Sequence, residues 1–410
     1  MKGIREALEA MMPAFRPVGV ERVPLARASG RILAETLRAR TELPAFDNSA
    51  MDGYAVRAHD APEGTEMDVQ GESRAGGPLP APLTSGTAMR IFTGAPLPDG
   101  ADAVIPQEDV TLSVGSERIR VENGTAPNRH VRRRGSDLAA EAVMVEAGGA
   151  LGAGEIGLLA GQGIGSVDVH RAPTVAILST GDELRDLTDP DRPGSIINSN
   201  AYALAAQVRE AGGIPWVLPN VPDDEEATVQ ALQHALRADV VVTSGGVSVG
   251  EHDVVKRAFE RVGVEADFWK VRMKPGKPLT FGRRGETPVV GLPGNPVSAM
   301  VTFEVFVRPG VRAMQGDRTP FRWLHTLPLA AGHTRKPGRP ELARARIEAT
   351  AEGPAVRLHP QQGSGSLPSM VGVDALVLLD AKRDRFEAGE RLPAVKLLDW
   401  SGSATPPFDA

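Results

Sequence analysis

The chain has 410 residues, of which 41% are hydrophobic, and its formal net charge at pH 7 is −6. A chain of this length can bury several cores, which predicts three or four folded domains. The acidic balance argues against a general nucleic-acid-binding protein, which usually needs a basic face, and the absence of cysteine excludes disulfides, thiolate metal sites and thiol nucleophiles.

Composition also bears on structure and location. Forty-five glycines and 34 prolines, against 4% aromatic residues, favour many turns and short strands over a helical bundle. The first residues carry no apolar signal core, and the sequence has no uninterrupted apolar run of about 18 residues. We therefore expect a cytoplasmic protein that binds neither nucleic acid nor a membrane.

The first part of the chain predicts a mixed domain with a β-rich insertion. Helical spacing at 3–12 and 25–40 predicts a helical opening. Short apolar pieces separated by Gly, Pro, Asp and Asn then run to about Val145, which is typical of a small β-rich domain. Helical spacing returns at 148–165, so the β-rich piece is interpreted as an insertion into the first domain.

From Thr174 onward the predicted strands and helices alternate. The predicted strands are 174–179, 214–218, 239–243 and one near Val289, and the predicted helices are 199–211, one starting at Asp223, one after Asp253 and one after Pro296. This alternation predicts a doubly wound α/β domain with a parallel sheet, helices on both faces and ligands at the carboxyl ends of the strands. The predicted domains are a mixed N-terminal domain of 1–44 and 146–172, a β-rich insertion of 45–145, a central α/β domain of 173–321 and a C-terminal β domain of 322–410.

Three loops follow predicted strands of the α/β domain, at 180–183, 243–250 and 292–296, so they are expected to line one crevice. The segment 268–278 lies between the last two of these loops. It holds three of the eight lysines of the chain, Lys270, Lys274 and Lys277. Backbone amides of glycine-rich turns together with mobile ammonium groups predict a pocket for phosphate or another oxyanion.

One further glycine motif does not support a nucleotide site. Residues 152–157 fit the G-x-G-x-x-G spacing of dinucleotide-binding folds, but the helix that they would open reaches Gly161 and Gly163 almost at once. The apolar run before the motif is also short. We interpret this segment as a glycine-rich helix packed closely on its neighbour.

Seven segments in order resemble one known family, that of MoeA, the molybdopterin molybdenumtransferases, which is similar to the E domain of gephyrin. They are DNSAMDGYAV (47–56), IFTGAP (91–96), RGSD (134–137), STGDEL (179–184), SGGVSVG (244–250), KPGKP (274–278) and GLPGNPVS (291–298). Each segment alone is a weak signal, whereas seven in register over nearly the whole chain are specific. The likeness is weakest in the last 90 residues.

The resemblance implies an enzyme that takes adenylylated molybdopterin and molybdate, inserts the metal at the dithiolene sulfurs and releases AMP. It implies a central domain similar to MogA and a homodimer whose cleft lies between the α/β domain of one subunit and the β-rich insertion of the other. It also suggests a transient contact with the adenylyltransferase of the pathway. Cleavage of a phosphoanhydride calls for charge neutralisation by a hard cation such as Mg²⁺.

The predicted site residues follow from the family motifs and from the loop chemistry. The predicted catalytic residues are Asp52, Thr93, Arg132, Asp137, Glu183, Asp223, Asp253, Lys270, Lys274, Pro293, Pro296 and Ser366. The predicted binding residues are Thr180, Gly181, Ser244, Gly245, Gly246, Ser248, Lys277, Asn295 and Ser364, and the predicted Mg²⁺ ligands are Asp52, Asp182, Glu183, Asp223 and Asp253. Lys277 rests on the Lys-Pro-Gly-Lys turn and not on a family position.

Several of these residues also have a structural explanation. Asp52 before Gly53 is a common turn pair, and Asp223 is placed to cap the helix that it begins. Arginines 132–134 are typical of a solvated charged face. In the C-terminal loop 361–369, Pro368 departs from the family pattern, so Ser366 is our first choice for the hydroxyl that reaches the site and Ser364 the second.

Three other functions are weighed. A gephyrin-like scaffold for receptor peptides would need additional interaction segments or a fused domain, and this chain has neither. A molybdopterin adenylyltransferase would need only the smaller α/β domain. Insertion of tungsten remains open, because tungstate and molybdate are nearly isosteric oxyanions.

Overall fold

The computed structural model describes residues 1–113, 117–246 and 254–397, and the chain forms two compact units. The large unit comprises Met1–Glu35, Ala147–Gly152 and Ser166–Ala410, and the small unit comprises Thr36–Glu146 and Ala153–Gly165. The small unit therefore contains the predicted insertion and also a helix that follows it. Within the described ranges, no helix is both long enough and apolar enough to cross a bilayer.

The helices and strands of the described residues are numbered in chain order. The helices are α1 Ile4–Met11, α2 Ala153–Gly161, α3 Ser199–Glu210, α4 Glu225–Ala235, α5 Val254–Arg261, α6 Pro296–Thr302 and α7 Arg308–Met314, with a π-helical turn at Phe303–Val307 between the last two. The strands are β1 Val20–Pro24, β2 Leu37–Arg38, β3 Asn48–Ser49, β4 Gly53–Val56, β5 Glu66–Ser73, β6 Thr87–Ile91, β7 Ala103–Pro106, β8 Val110–Leu112, β9 Arg118–Val121, β10 Val131–Arg132, β11 Val143–Val145, β12 Ser166–His170, β13 Thr174–Ser179, β14 Leu184–Arg185, β15 Ile196–Ile197, β16 Ile214–Val217, β17 Val240–Ser244, β18 Glu265–Lys270, β19 Pro278–Arg284, β20 Thr287–Leu292, β21 Leu324–Pro328, β22 His333–Thr334, β23 Glu341–Thr350, β24 Gly353–Leu358, β25 Ala375–Leu379, β26 Arg385–Phe386 and β27 Arg391–Lys396.

The central sheet of the large unit has the strand order β16-β13-β17-β20-β19-β18. Its first four strands are parallel, as the alternation of elements predicts. Successive residues of a strand point to opposite faces, so Val175 and Ile177 enter one core while Ala176 and Leu178 enter another. Both faces are buried, which explains the continuous apolar runs of these strands.

Two expectations about the large unit are wrong. The sheet is mixed, because β18 and β19 add to it as antiparallel strands that the sequence pattern did not reveal. Residues 25–40 are not helical: Leu25–Arg27 form a single 3₁₀ turn, and Gly30 then adopts a φ of +75° that ends any helical path. Ile32 and Leu33 are still fully buried, in isolated bridges.

The C-terminal part forms a five-stranded antiparallel sheet in the order β21-β27-β25-β23-β24, which confirms the predicted β domain. Its strand β23 starts beside the lysine-rich turn of the central domain. The Lys274 N–H donates to the Pro340 carbonyl, and the Leu342 N–H donates to the Lys274 carbonyl, both at 2.8 Å. The two domains are thus joined by main-chain hydrogen bonds at this point.

The small unit is built on a mixed six-stranded sheet in the order β7-β4-β6-β5-β9-β8, with a core that includes Tyr54, Val56 and Ile105. Helix α2 belongs to this unit. The side chain of Gln162, just after the helix, accepts from the N–H groups of Arg40 and Thr41 at 2.8 and 3.0 Å. Helical spacing at 148–165 is confirmed as a helix of nine residues.

Glycines in two segments of the small unit, β4 and α2, differ from their sequence interpretations. Gly53 does not form a turn but lies inside β4, where a Cβ atom would stand 2.0 Å from the Ile105 carbonyl oxygen. Gly154, Gly157 and Gly161 of α2 have open space around the position of a Cβ atom, so the expected close packing of this helix is wrong.

We predict opposite effects on stability for alanine at two glycines of the small unit. Gly53→Ala forces a methyl group against main chain and should lower the free energy of unfolding by roughly 1–3 kcal/mol. Gly157→Ala meets no neighbour and improves helix propensity, so it should raise that free energy by about 0.5–1 kcal/mol. Urea unfolding followed by circular dichroism measures both, and equal shifts in the two variants would contradict the prediction.

Candidate active site

The loops that follow β13, β17 and β20 meet at one edge of the central sheet, as predicted. Ser179 pairs in register with Ser244, and Ser244 pairs with Leu292. Main-chain hydrogen bonds then link the loops beyond the strands: the Thr180 N–H donates to the Ser244 carbonyl, and the Gly245 N–H donates to the Leu292 carbonyl. Three segments that are far apart in sequence therefore line one crevice.

Close approach of the chain explains the two glycines after β17. Gly245 and Gly246 have φ values of +92° and +63°, which favour glycine. A Cβ atom would lie 2.7 Å from the Thr180 carbonyl at the first position and 2.2 Å from a methyl of Val255 at the second. The Ser-Gly-Gly turn therefore requires glycine at both positions, and it lies at a strand end, where open α/β sheets bind their ligands.

A buried asparagine near the start of α3 joins these loops, and sequence reasoning missed it. The Asn200 amide nitrogen donates to the Ser244 hydroxyl at 2.9 Å and to the Gly294 carbonyl at 2.7 Å. Its carbonyl oxygen and the Thr180 hydroxyl are both buried, with no hydrogen-bond partner in the described part of the chain. Both atoms belong to residues that line a small pocket with Glu183 and Pro296. In the sequence, Asn200 stands in an Asn-Ser-Asn segment whose first residue caps α3, a pattern that gives no sign of a site.

The acidic residues of the crevice lie on two loops. Asp182 and Glu183 are exposed after β13, and Asp182 Oδ1 accepts from the Asp223 N–H at 3.1 Å. Asp223 does not cap α4. The cap is Asp224, which accepts from the Ala227 N–H, so the side chain of Asp223 is not used in capping.

The described residues hold no cluster of three or more His, Asp or Glu side chains that would bind a metal ion by themselves. Mg²⁺ keeps several waters and commonly uses one or two protein carboxylates together with substrate phosphates. The loop pair of Asp182 and Asp223 suits that kind of shared site. Asp253, the fifth predicted ligand, lies outside the described residues, and so does Ser248.

A cationic pocket of about 430 Å³ lies at the junction of the central and C-terminal domains. Its lining residues are Lys274, Pro275, Gly276, Lys277, Pro278, Pro293, Asn295, Ser298, Arg339, Gln362, Gly363 and Ser364. Lys274, Lys277 and Arg339 supply three cationic groups, and hydroxyl and amide groups supply neutral donors. The lysine-rich segment, for which an oxyanion pocket is predicted, thus lines a cavity together with residues of the C-terminal domain.

Arg339 was not predicted as a site residue. Its Nη1 donates to the Met273 carbonyl at 2.8 Å, which holds the arginine against the lysine-rich turn. The residue lies more than 60 positions beyond that turn and before β23, in a segment with no motif of its own. Only the pairing of the two domains brings it to the pocket.

Of the two candidate serines, Ser364, the second choice, lines the cationic pocket, whereas Ser366, the first choice, does not. Ser364 lines the cationic pocket and its hydroxyl accepts from the Asn295 amide at 3.2 Å. The Ser366 hydroxyl instead donates to the Gln361 side chain at 2.9 Å and is not among the lining residues. Lys270 is also outside this lining: it ends β18 and pairs with Pro278, which does line the pocket.

The small unit carries a second group of predicted residues. Asp52 Oδ1 accepts from both the N–H and the hydroxyl of Thr93, each at 2.8 Å. These hydrogen bonds, the main-chain one first, and the charge of Arg90 hold the pKa of Asp52 below its usual range. Asp52 is thus fixed as an ionised carboxylate by the turn that holds Thr93.

Two of the three arginines at 132–134 form ion pairs with acidic side chains of the described residues, and the third does not. Arg133 pairs with Asp47, and Arg134 pairs with Glu42. Arg132 is exposed, belongs to β10 beside β3 and has no acidic partner among the described residues. Asp137, also predicted, is exposed and accepts from the Ser136 hydroxyl at 3.1 Å. The two paired arginines stay partly exposed, so the run is a charged surface on which Arg133 and Arg134 are engaged in ion pairs.

Comparison with protein families gives three consecutive matches. Residues 3–163 match the model of the MoeA N-terminal region (domains I and II), and residues 176–313 match a probable molybdopterin-binding domain. Residues 326–397 match the MoeA C-terminal region (domain IV). The cationic pocket thus combines residues of the second and third matches.

Relatives and solved structures agree with these matches. The chain is 38% identical over 377 residues to the molybdopterin molybdenumtransferase of Haemophilus influenzae, covering 91% of this chain and 93% of the relative. It is 40% identical over 364 residues to molybdopterin molybdenumtransferase 2 of Mycobacterium tuberculosis, with 85% and 88% covered. The molybdopterin biosynthesis MoeA protein of Pyrococcus horikoshii superposes with a TM-score of 0.81 at 31% identity, covering 97% of this chain and 99% of that one.

Removal of the Thr93 hydroxyl should raise the pKa of Asp52 toward its ordinary value. Thr93→Val keeps the shape of the side chain and the main-chain donor but deletes one of the two hydrogen bonds to the charged carboxylate. A carboxylate-detected NMR titration measures the shift. Thr87→Val, in the same sheet and bonded to Gln70 rather than to an acid, should leave Asp52 unchanged; an unaltered titration in Thr93→Val would refute the assignment.

Proposed function

Since the chain belongs to the MoeA family of molybdopterin molybdenumtransferases, we propose that its cationic pocket and its sheet-edge crevice serve one reaction. That reaction inserts molybdate into adenylylated molybdopterin and releases AMP. The observation that carries the proposal is the pocket of Lys274, Lys277 and Arg339 next to the crevice loops of the same large unit.

The cationic pocket has the chemistry of a tetrahedral oxyanion site. Molybdate carries two negative charges, which the three cationic side chains neutralise. Ser364, Ser298 and Asn295 add neutral donors around the same space. In a chain with a net charge of −6, this local excess of positive charge draws an anion to one place and not to the surface in general.

The crevice has the features of a site for the phosphate groups of the organic substrate. Ligands of open α/β sheets bind beyond the carboxyl ends of parallel strands. The Ser244-Gly245-Gly246 turn lies there with positive φ at both glycines, and Thr180 and Asn200 offer buried oxygen atoms with no hydrogen-bond partner in the described ranges. We assign the adenylylated molybdopterin to this crevice, with its reacting end toward the cationic pocket.

We propose that the reaction depends on Mg²⁺. Asp182 and Asp223 are the described carboxylates that would hold the ion together with substrate phosphate oxygens, and Glu183, next to Asp182, lines the crevice. When bound, the ion neutralises charge on the phosphoanhydride as it is cleaved. The protein groups themselves orient the two anions: Lys274 and Lys277 hold one, and the Ser-Gly-Gly turn holds the other.

We further propose that the protein is a homodimer with shared active sites. Four of the 22 predicted residues, Asp52, Thr93, Arg132 and Asp137, belong to the small unit, and the others belong to the large unit. The resemblance to the family implies that the first set serves the large unit of a partner subunit. A cytoplasmic location and a transient contact with the adenylyltransferase fit a biosynthetic enzyme of this kind.

Incubation with adenylylated molybdopterin, Mg²⁺ and molybdate should release AMP only when molybdate is present. Asp52→Ala and Lys274→Ala should each lower the rate by about 100-fold or more, because each removes a preorganised charge from the site. Lys382→Ala, a change at an exposed lysine of the C-terminal domain, is the matched control and should keep full activity. AMP release without molybdate would favour a simple hydrolase, and equal activation by tungstate would show that either metal is accepted.

Mixing two inactive variants tests the shared site. If Asp52 of one subunit serves Lys274 of its partner, a freely exchanged equal mixture of Asp52→Ala and Lys274→Ala protomers contains intact sites only in mixed dimers. Activity should then recover to about a quarter of the wild-type value. Sedimentation confirms that dimers form, and no recovery in exchanged dimers would place each complete site within a single subunit.

A further inference from the structure

A buried carboxylate lies next to the cationic pocket. It belongs to Glu341, which is not among the predicted site residues. Glu341, the first residue of β23, has a side chain that is 3% exposed. Its Oε1 lies 2.9 Å from Lys274 Nζ, and its Oε2 lies 3.5 Å from Arg335 Nε. Glu341 does not line the pocket, whereas Lys274 does.

Burial of a charge is costly unless it has partners, so this carboxylate needs an explanation. Its two cationic partners differ in exposure: the Arg335 side chain is 5% exposed, and that of Lys274 is 45% exposed. Arg335 is enclosed and donates to the Arg339 and Leu379 carbonyls. Lys274 instead reaches from the buried carboxylate to the open pocket, so the ion pair fixes the direction of the ammonium group.

We propose that Glu341 is a positioning residue for the molybdate pocket, a role that rests on the proposed function. Its carboxylate holds the Lys274 ammonium in one place, because a free lysine side chain explores many rotamers and would hold an anion in many positions. The main chain supports the arrangement, since hydrogen bonds on both sides of Lys274 tie it to Pro340 and Leu342 beside Glu341.

The same carboxylate limits the charge of the pocket. Lys274, Lys277 and Arg339 would attract an oxyanion more strongly without it, because an acid close to the pocket opposes anion binding. Retention of Glu341 therefore favours exact placement of the anion over maximal affinity for it. Loss of Glu341 should therefore slow turnover without weakening the binding of molybdate, and this difference makes the proposal testable.

Glu341→Gln keeps the size of the side chain and removes its charge. We expect kcat for molybdate-dependent AMP release to fall about 10-fold or more, because a reacting group is misplaced, while calorimetry shows molybdate bound at least as tightly as in the wild type. Glu348→Gln, on the same strand and paired with Arg357 at the surface, is the control and should change neither quantity. Unchanged kcat, or equal losses of kcat and molybdate affinity, would overturn the proposal.

A double-mutant cycle tests whether Glu341 acts through Lys274. In a Lys274→Met background the Glu341→Gln change should have no further effect on kcat, because the group that it positions is gone. Additive losses would overturn the proposal. Glu341→Asp serves if the glutamine variant does not fold: it retains the charge on a shorter side chain and should lower kcat with no increase in molybdate affinity.

The placement of the Lys274 ammonium group can also be tested without a measurement of catalysis. Reductive ¹³C-methylation labels the eight lysines of the chain, and Lys274→Arg identifies the signal of Lys274. Glu341→Gln should move and sharpen that signal toward those of exposed lysines, and an unchanged signal would overturn the proposal. Wild-type protein without molybdate-dependent AMP release would instead reject the proposed function, whatever the lysine signal shows.

Discussion

The main-chain pairing between the lysine-rich turn and the start of β23 is the constraint on which the cationic pocket depends. Two hydrogen bonds of 2.8 Å join Lys274 to Pro340 and Leu342, and the Arg339 guanidinium adds a third link to the Met273 carbonyl. Without this pairing, the lysines of the central domain and the arginine and serine of the C-terminal domain would not share one space. The cationic pocket therefore depends on the packing of the two domains as much as on the sequence motifs that line it.

Charge at this junction is arranged at a cost to stability. Arg344 is fully buried, and its Nη2 donates to the Gln361 and Gly363 carbonyls, but its Nε and Nη1 have no hydrogen-bond partner in the described chain. Burial lowers the pKa of Arg344, and the nearby Glu341 opposes that effect. Such a group is retained at a site where it fixes the loop of Ser364, and proteins commonly accept strain of this kind near function.

Much of the central domain followed from the sequence because its rules are local. Strand and helix alternate with clear periods, and the loops after parallel strands must meet at one edge. The two antiparallel strands β18 and β19 were not predicted, because the lysines and prolines of that region are typical of a loop. Residues 25–40 were misinterpreted because apolar side chains that share a helical spacing are buried there by bridges to distant segments.

The candidate site was predicted where one loop carries the chemistry and missed where packing assembles it. Lys274, Lys277 and the Ser-Gly-Gly turn stand in recognisable motifs, whereas Arg339, Asn200 and Glu341 contact partners 44 to 94 positions away. Residues close together in the sequence also take different roles, and the local sequence does not show which residue takes which role.

The neighbouring residues Asp223 and Asp224 are one example of such a difference in roles. Asp223 and Asp224 are equally good caps by composition, and only the fold decides that Asp224 binds the helix while the main chain of Asp223 meets Asp182. Ser364 and Ser366 differ in the same way, since one faces the pocket and the other bonds Gln361. Contacts between distant segments therefore decide which of these groups reach the pocket, and Glu341, which pairs with Lys274 from outside the pocket lining, carries no motif by which the sequence alone would reveal it.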